Sequence, residues 1–273
     1  MSRLLFPIAL TLSIVTTVIG AAPADAPEVK RLLIIGQGAD GHPPGSHEFM
    51  AGARVLEKLL ASVQGVRTSI VKADEPWPEG PAAIDQADGI VMLVTQGAQW
   101  MQVEPKRYVS LQRLARRKGG IVALHWAVGA KDAQYIQGQL DLLGGTRGGP
   151  QRKYKVLETD VKVLDRAHPI LTGLADFRIN DEFYYRLDFV KPQGSIHPLL
   201  SARIDGNDEV VCWSWERPDG GRSFAYVGIH FHSNWQRPEY RRLALQGILW
   251  TVGLPIPRDG CNVDIDPKVL VLK

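Results

Sequence analysis

Five of the seven histidines in this 273-residue chain stand where an apolar, strand-like run gives way to a loop. His42 and His47 follow the Leu/Ile-rich run 30–36. His125 follows Ile-Val-Ala-Leu at 121–124, and His230 and His232 follow the run 222–229. An imidazole titrates near neutrality, so at such places it can give or take a proton, or bind a metal when neutral. His125 also occupies the turn where related α/β folds carry a nucleophile elbow. Plainer readings exist. His42 is also explicable as a polar residue of a Gly/Pro loop, and His47 as a turn-former at a helix start. His230 and His232, two apart, would share a face of a continuing strand, and the spacing does not choose between them. His168 and His197 each precede a proline and read as turn or strand-start residues.

A second constellation is Asp181, Glu182, Phe183, Tyr184 and Tyr185. Carboxylates accept hydrogen bonds from sugar hydroxyls, and aromatic faces pack on sugar C–H faces. The alternative is an acidic turn before a strand. Trp126 and Trp235 adjoin the histidine loops and are ligand candidates, whereas the other tryptophans suit the core or a pocket wall. Together these residues suggest His125 and one of His230 and His232, with His230 taken first, as acid and base, and Glu182 as base or hydroxyl holder. His42, His47, Trp126, Asp181, Tyr184, His232 and Trp235 then form the substrate contacts. His42 and His47 could, with Glu182, hold a divalent metal such as zinc or manganese, which would polarise a sugar carbonyl.

The elements that must position these groups alternate in type. Buried strands are expected at 30–36, 66–71, 87–94 and 121–124, the first ending in Gly36. Ser46 is the expected cap of a helix carrying Phe49, Ala53, Leu56 and Leu60 at helical spacing. Residues 74–82 read as a Pro-rich loop. Glu104-Pro105 opens a second helix with a Tyr108, Leu111, Leu114 stripe, stopped at Gly119-Gly120, and a third spans 132–143. Such alternation implies a parallel, doubly wound α/β sheet with right-handed crossovers. Runs 153–163, 184–190, 197–203, 209–217 and 222–229 have strand character, with rough period-two alternation in several. They imply antiparallel β additions in the C-terminal half. A last helix, 239–252, must dock on the core.

Composition excludes several function classes. Hydrophobic residues make up 45% and charged residues 22%, with net charge +3, which is ordinary for a globular domain. Arg116, Arg117 and Lys118 close a helix, where cations suit the macrodipole, so nucleic-acid binding is not expected. Gly36, Gly38 and Gly41 match a dinucleotide fingerprint, but His42, Pro43, Pro44 and Gly45 follow where the helix should open. Neither NAD nor a flavin is expected. No Walker motif, G-x-S-x-G or C-x-x-C occurs; the two cysteines are Cys212 in an apolar run and Cys261 in a polar stretch. The first 22 residues read as a signal peptide, with Arg3, the apolar run 4–19 and small residues up to Ala26. Cleavage is expected between Ala22 and Ala26, giving an exported protein, periplasmic or extracellular, without a stable membrane span. Residues 23–29 are then a linker, 30–253 one domain and 254–273 a C-terminal tail.

The chain resembles the ThuA-like (trehalose-utilisation) family. The likeness is carried by the loop with His42 and His47, by Gly119 through Ala127 with His125 and Trp126, and by His168-Pro-Ile-Leu-Thr-Gly-Leu174. It continues in Asp181-Glu-Phe-Tyr184, in Gly228-Ile-His230, and in Gln246-Gly-Ile-Leu-Trp250. The resemblance implies a flavodoxin-like sandwich related to class I glutamine amidotransferases. No cysteine stands at the elbow, so glutamine hydrolysis is not implied. It also implies a small-molecule carbohydrate ligand and a role in handling trehalose or 3-keto sugars. Ile229 intervenes between Gly228 and His230, where the family often has Gly-His adjacent, so the choice between His230 and His232 stays open. The expected activity is acid/base chemistry on a glycoside or 3-keto sugar. The alternatives are a non-catalytic sugar-binding module or an interaction domain.

Overall fold

The computed structural model describes residues 29–191 and 195–272; the expected signal peptide and most of the linker lie outside them. A nine-stranded sheet runs through the molecule in the order β2-β1-β3-β4-β11-β10-β9-β6-β7. Its first half is parallel: β2 (Val66–Lys72), β1 (Lys30–Gly36), β3 (Gly89–Leu93), β4 (Gly120–Leu124) and β11 (Arg222–Tyr226). The second half is antiparallel: β10 (Asn207–Glu216), β9 (Ser195–Ile204), β6 (Lys153–Val163) and β7 (Phe177–Tyr185). A two-stranded ribbon joins β5 (Gly145–Thr146) to β8 (Asp188–Phe189).

The central strands are apolar because both their faces are covered. Leu32 through Ile35, the whole of β3 and the whole of β4 are buried. One layer holds α1 (Phe49–Leu60) packed on α6 (Pro238–Thr251). The other holds α2 (Gly80–Gln86), α3 (Gly97–Val103), α4 (Pro105–Arg116) and α5 (Ile136–Leu143). This is the doubly wound sheet with antiparallel additions that the element pattern implies, and the flavodoxin-like arrangement that the family resemblance implies. Among the described residues no helix is long and apolar enough to cross a membrane.

Several boundaries differ from the sequence reading. The run expected at 184–190 is displaced: β7 ends at Tyr185, so Asp181 and Glu182 lie inside a strand rather than in a turn before one. Ser46 does not cap α1; it forms an isolated bridge with Phe231, and the helix opens after Glu48. The short helices α2 and α3 escape a periodicity search because two turns show too few apolar repeats to reveal a face. The segment after 253 is no loose tail: Cys261 and Val263 are buried, and both cysteines are free thiols.

Two of the motifs that carry the family likeness organise packing, in keeping with the turn reading of His168. Gln246, fully buried on α6, donates to the carbonyls of Ile170 and Thr172 and accepts from the Cys261 backbone N–H. It thereby ties the His168–Leu174 turn and the chain end to one helix. His168 Nδ1 accepts from the Ile170 N–H at 3.2 Å, so its proton sits on Nε2, which faces Ser214 Oγ at 3.1 Å. Burial, reinforced by His197, pushes its pKa down to about 4. The folded form therefore holds His168 neutral while the unfolded chain protonates near pH 6.5. Its stabilising contribution is complete above pH 6.5 and is lost as pH falls from about 6.5 to 4, on the order of 3 kcal/mol. Urea titrations across that window should show a steeper loss for the native chain than for His168→Gln; parallel curves would contradict this assignment.

Candidate functional site

The carboxyl ends of β1, β3, β4 and β11 carry a run of left-handed backbone at residues other than glycine. His47 has φ 53°, Gln96 47°, His125 52° and Ile229 75°. Each costs roughly 1–3 kcal/mol and persists only where surrounding contacts over-determine it. The contacts are visible. The His47 N–H donates to the His230 carbonyl at 3.1 Å, and the His232 N–H to the Gly45 carbonyl at 2.8 Å, zipping two loops together. Asp181 reaches in from β7, fully buried. It accepts from the backbone N–H groups of Ile229 (2.7 Å), His230 (3.1 Å) and Glu182 (2.9 Å), and from the Tyr240 hydroxyl (2.8 Å). Burial raises its pKa to about 6 against the pull of those donors.

The side chains so placed converge. His125 Nε2 lies 2.9 Å from His47 Nε2, 3.1 Å from His230 Nδ1 and 3.2 Å from the Tyr184 hydroxyl. Glu182 Oε1 is 3.8 Å from both His125 Nε2 and His230 Nδ1. One ligand atom each from His47, His125, His230 and Glu182 falls within a 4.8 Å span.

The back side of each ring fixes its tautomer. His125 Nδ1 faces the Val227 carbonyl at 2.9 Å, which can only accept, so the proton is on Nδ1 and Nε2 presents a lone pair. His47 Nδ1 faces the Asp40 carboxylate at 2.6 Å, with the same result. Two lone pairs then meet at 2.9 Å, which requires a proton or a cation between them. Burial, with the neighbouring His47 and His230, holds His125 well below the usual imidazole range. Burial likewise lowers His47 and takes His230 to about 4. Protons are therefore disfavoured. Three neutral imidazoles and a carboxylate, two of the rings braced by outer acceptors, suit a divalent ion such as zinc or manganese. Burial alone would raise Asp40, but its hydrogen bonds from His47 and Thr95 win, and its pKa falls to about 2.

A cavity of about 160 Å³ opens beside this cluster, lined by His42, His47, Trp126, Lys131, Arg147, Tyr154, Glu182 and Tyr184. Of the residues singled out from sequence, His42, His47, His125, Trp126, Glu182, Tyr184 and His230 meet here. His42 stands at the rim with Nδ1 2.8 Å from Asp40. Two groups among the described residues could hold a cation: Asp40, His42 and His47, which keeps the expected His42–His47 pairing but without Glu182, and the more buried His47, His125, His230 and Glu182. Three expected substrate contacts lie outside this cavity. Asp181 braces the His230 loop and does not line the cavity. His232 turns away to the Leu270 carbonyl at 3.1 Å. Trp235 is buried against Gly52 of α1. Asp40, Thr95, Lys131, Arg147 and Tyr154 were not singled out. Asp40, two and seven residues before the histidines it orients, was accessible through the carboxylate–histidine pairing that metal sites use. A larger depression of about 1150 Å³ lies at the opposite, amino-terminal end of β11, around Trp215 to Arg222, and brings no histidine cluster together.

Fold and site define a flavodoxin-like α/β domain with a histidine–carboxylate centre at its strand ends and no cysteine at the elbow. The chain belongs to the ThuA family, described as trehalose utilisation, which it matches over residues 34–251. It is similar to the structure of a putative ThuA-like protein from Bacteroides uniformis, with TM-score 0.62 and 17% identity over 85% of this chain and 94% of that one. A cytoplasmic protein from Salmonella typhimurium matches with TM-score 0.57 and 14% identity, over 82% of this chain and 99% of that one. The glutaminase domain of the Trypanosoma brucei CTPS matches with TM-score 0.51 and 11% identity, over 86% and 98%. At such identities these likenesses concern the fold alone. No curated protein sequence matches the chain.

The brace on the His230 loop is testable. Asp181→Asn sets an amide N–H₂ among donors, and denaturant titration should show a loss of about 1–3 kcal/mol. A variant within about 0.5 kcal/mol of the native chain, the range of an ordinary surface change, would contradict the bracing role.

Proposed function

We propose that the chain is an exported, metal-dependent carbohydrate-active enzyme that carries out proton-transfer chemistry on a glycoside or 3-keto sugar. The observation that carries this reading is the convergence of His47, His125, His230 and Glu182 with two inward lone pairs 2.9 Å apart. A divalent ion bound by these four side chains would supply Lewis acidity toward a sugar oxygen. The leader-like first 22 residues support export, and the family description supports a sugar as ligand.

The remaining steps belong to the chain itself. His125 and His230 were the acid/base pair expected from sequence. Both are committed to the cluster, and His125 has no access to solvent. His42 takes over that role. Asp40 fixes its Nδ1 at 2.8 Å, which leaves Nε2 as the working nitrogen at the cavity rim. Tyr184, its hydroxyl pushed well above the usual phenol range by burial, keeps its proton and is a donor toward a sugar oxygen. Trp126 and Tyr154 supply faces for the sugar ring.

Elemental analysis of purified protein should find about one zinc or manganese per chain, and His125→Ala should abolish it. His42→Ala should retain the metal yet lose about 10²–10⁴-fold in turnover of a 3-keto glycoside. Absence of stoichiometric metal after growth with added zinc and manganese would overturn the reading. So would an unimpaired His42→Ala enzyme.

A further inference from the structure

The cavity wall holds a buried positive charge that, among the described residues, is met by no ion pair or side-chain hydrogen bond, only by two tyrosine rings and the through-space field of Glu182. Arg147 is 7% exposed, yet its guanidinium has no carboxylate within ion-pair distance and no hydrogen bond among the described residues; its Nε is buried without an acceptor. The other buried arginines each have an ion-pair or carbonyl partner, although Arg107 Nε too lacks an acceptor. Arg107 pairs with Glu75 at 2.6 Å, Arg217 with Asp219 and several carbonyls, and Arg241 with the carbonyls of Val263 and Trp235. An unpaired buried charge is costly and is not expected without a partner to meet.

Arg147 is also held in place by design of its surroundings. Its backbone N–H donates to Val128 at 2.7 Å, and its carbonyl accepts from Ala130 at 3.3 Å. Gly129 lies between, where a Cβ would come within 2.1 Å of the Arg147 carbonyl oxygen, so only glycine permits the pairing. The guanidinium then sits over the Tyr184 ring at 4.3 Å and faces Tyr154 at 5.5 Å. Tyr184 in turn touches His125, so the charge stands one tyrosine ring away from the histidine cluster. Lys131, over the Trp126 ring at 5.5 Å, adds a second cation on the same wall. The Trp126 indole N–H is likewise buried without an acceptor.

We propose that Arg147, with Lys131 and Trp126, forms an anion subsite, and that the substrate is a monosaccharide unit bearing a carboxylate, of the uronic or aldonic acid class. This rests on the metal-site reading above: Asp40 and Glu182 offset a divalent ion, which leaves Arg147 and Lys131 for the ligand to neutralise. A planar guanidinium matches a carboxylate through two parallel hydrogen bonds. A cavity of about 160 Å³ suits one sugar ring rather than a disaccharide.

Calorimetric titration of the metal-loaded protein with D-glucuronate, D-gluconate, D-glucose and D-glucose 6-phosphate tests the assignment. Either acid should bind about tenfold or more tightly than glucose, a margin typical of one charge-assisted contact, and whichever is tighter names the acid. Arg147→Met should erase that preference while its metal content stays that of the native chain. Equal binding of acid and neutral sugars, a preference that survives in Arg147→Met, or a tightest ligand that is the phosphate overturns it. Should Arg147→Met fail to fold by circular dichroism, Arg147→Lys decides: an unchanged preference overturns the proposal and a weakened one supports it. Metal content, measured separately on the native chain, shows whether a failure belongs instead to the metal reading.

Discussion

Two imidazole lone pairs facing one another across 2.9 Å repel, and the rest of this structure is arranged so that they nevertheless stay there. The Val227 carbonyl and the Asp40 carboxylate hold the two protons on the outer nitrogens. Three loops accept left-handed backbone at His47, His125 and Ile229 to aim the rings inward. Asp181 keeps the last of these loops from relaxing by taking its N–H groups into a fully buried carboxylate. Burial keeps the rings neutral, so protonation does not relieve the repulsion, whereas a divalent cation does. Strain at the strand ends and the wish of the site for a positive ion are two sides of one arrangement.

The parallel half of the fold was legible because its physics is local. Strands covered on both faces must be apolar, as β1, β3 and β4 are, and β1 and β4 run into the histidine-bearing loops where the reading placed them. The antiparallel half was legible as strands but not in its boundaries. At Asp181 the inward-facing residue of β7 is a buried carboxylate, and alternation interrupted by charge reads as a turn. Within the site, the histidines at strand ends declared themselves by position. The choice of His230 over His232 did not, because it depends on the φ of 75° at Ile229, which turns the chain out of strand geometry. Arg147 carried no sequence signal at all: its place follows from a backbone pairing with Gly129 that joins segments 18 residues apart. His168, before Pro169, reads as a turn residue and caps the turn 169–171, whereas nothing in the sequence shows that Gln246 ties that turn to α6.

The electrostatics of the pocket divide the same residue types between two tasks. Carboxylates at Asp40 and Glu182 and neutral rings at His47, His125 and His230 make a place for a cation, while Arg147 and Lys131 on the adjoining wall make a place for an anion. Tyr184 separates the two, touching His125 with its hydroxyl and Arg147 with its ring face. A ligand spanning both would be oriented without any moving part.

Anomalous diffraction at the zinc edge, on crystals of zinc-loaded protein, examines the central claim most directly. The account predicts a single strong peak about 2.0–2.2 Å from His47 Nε2, His125 Nε2, His230 Nδ1 and a Glu182 oxygen. A peak seated instead on Asp40 and His42, or none at the histidine cluster, would contradict it.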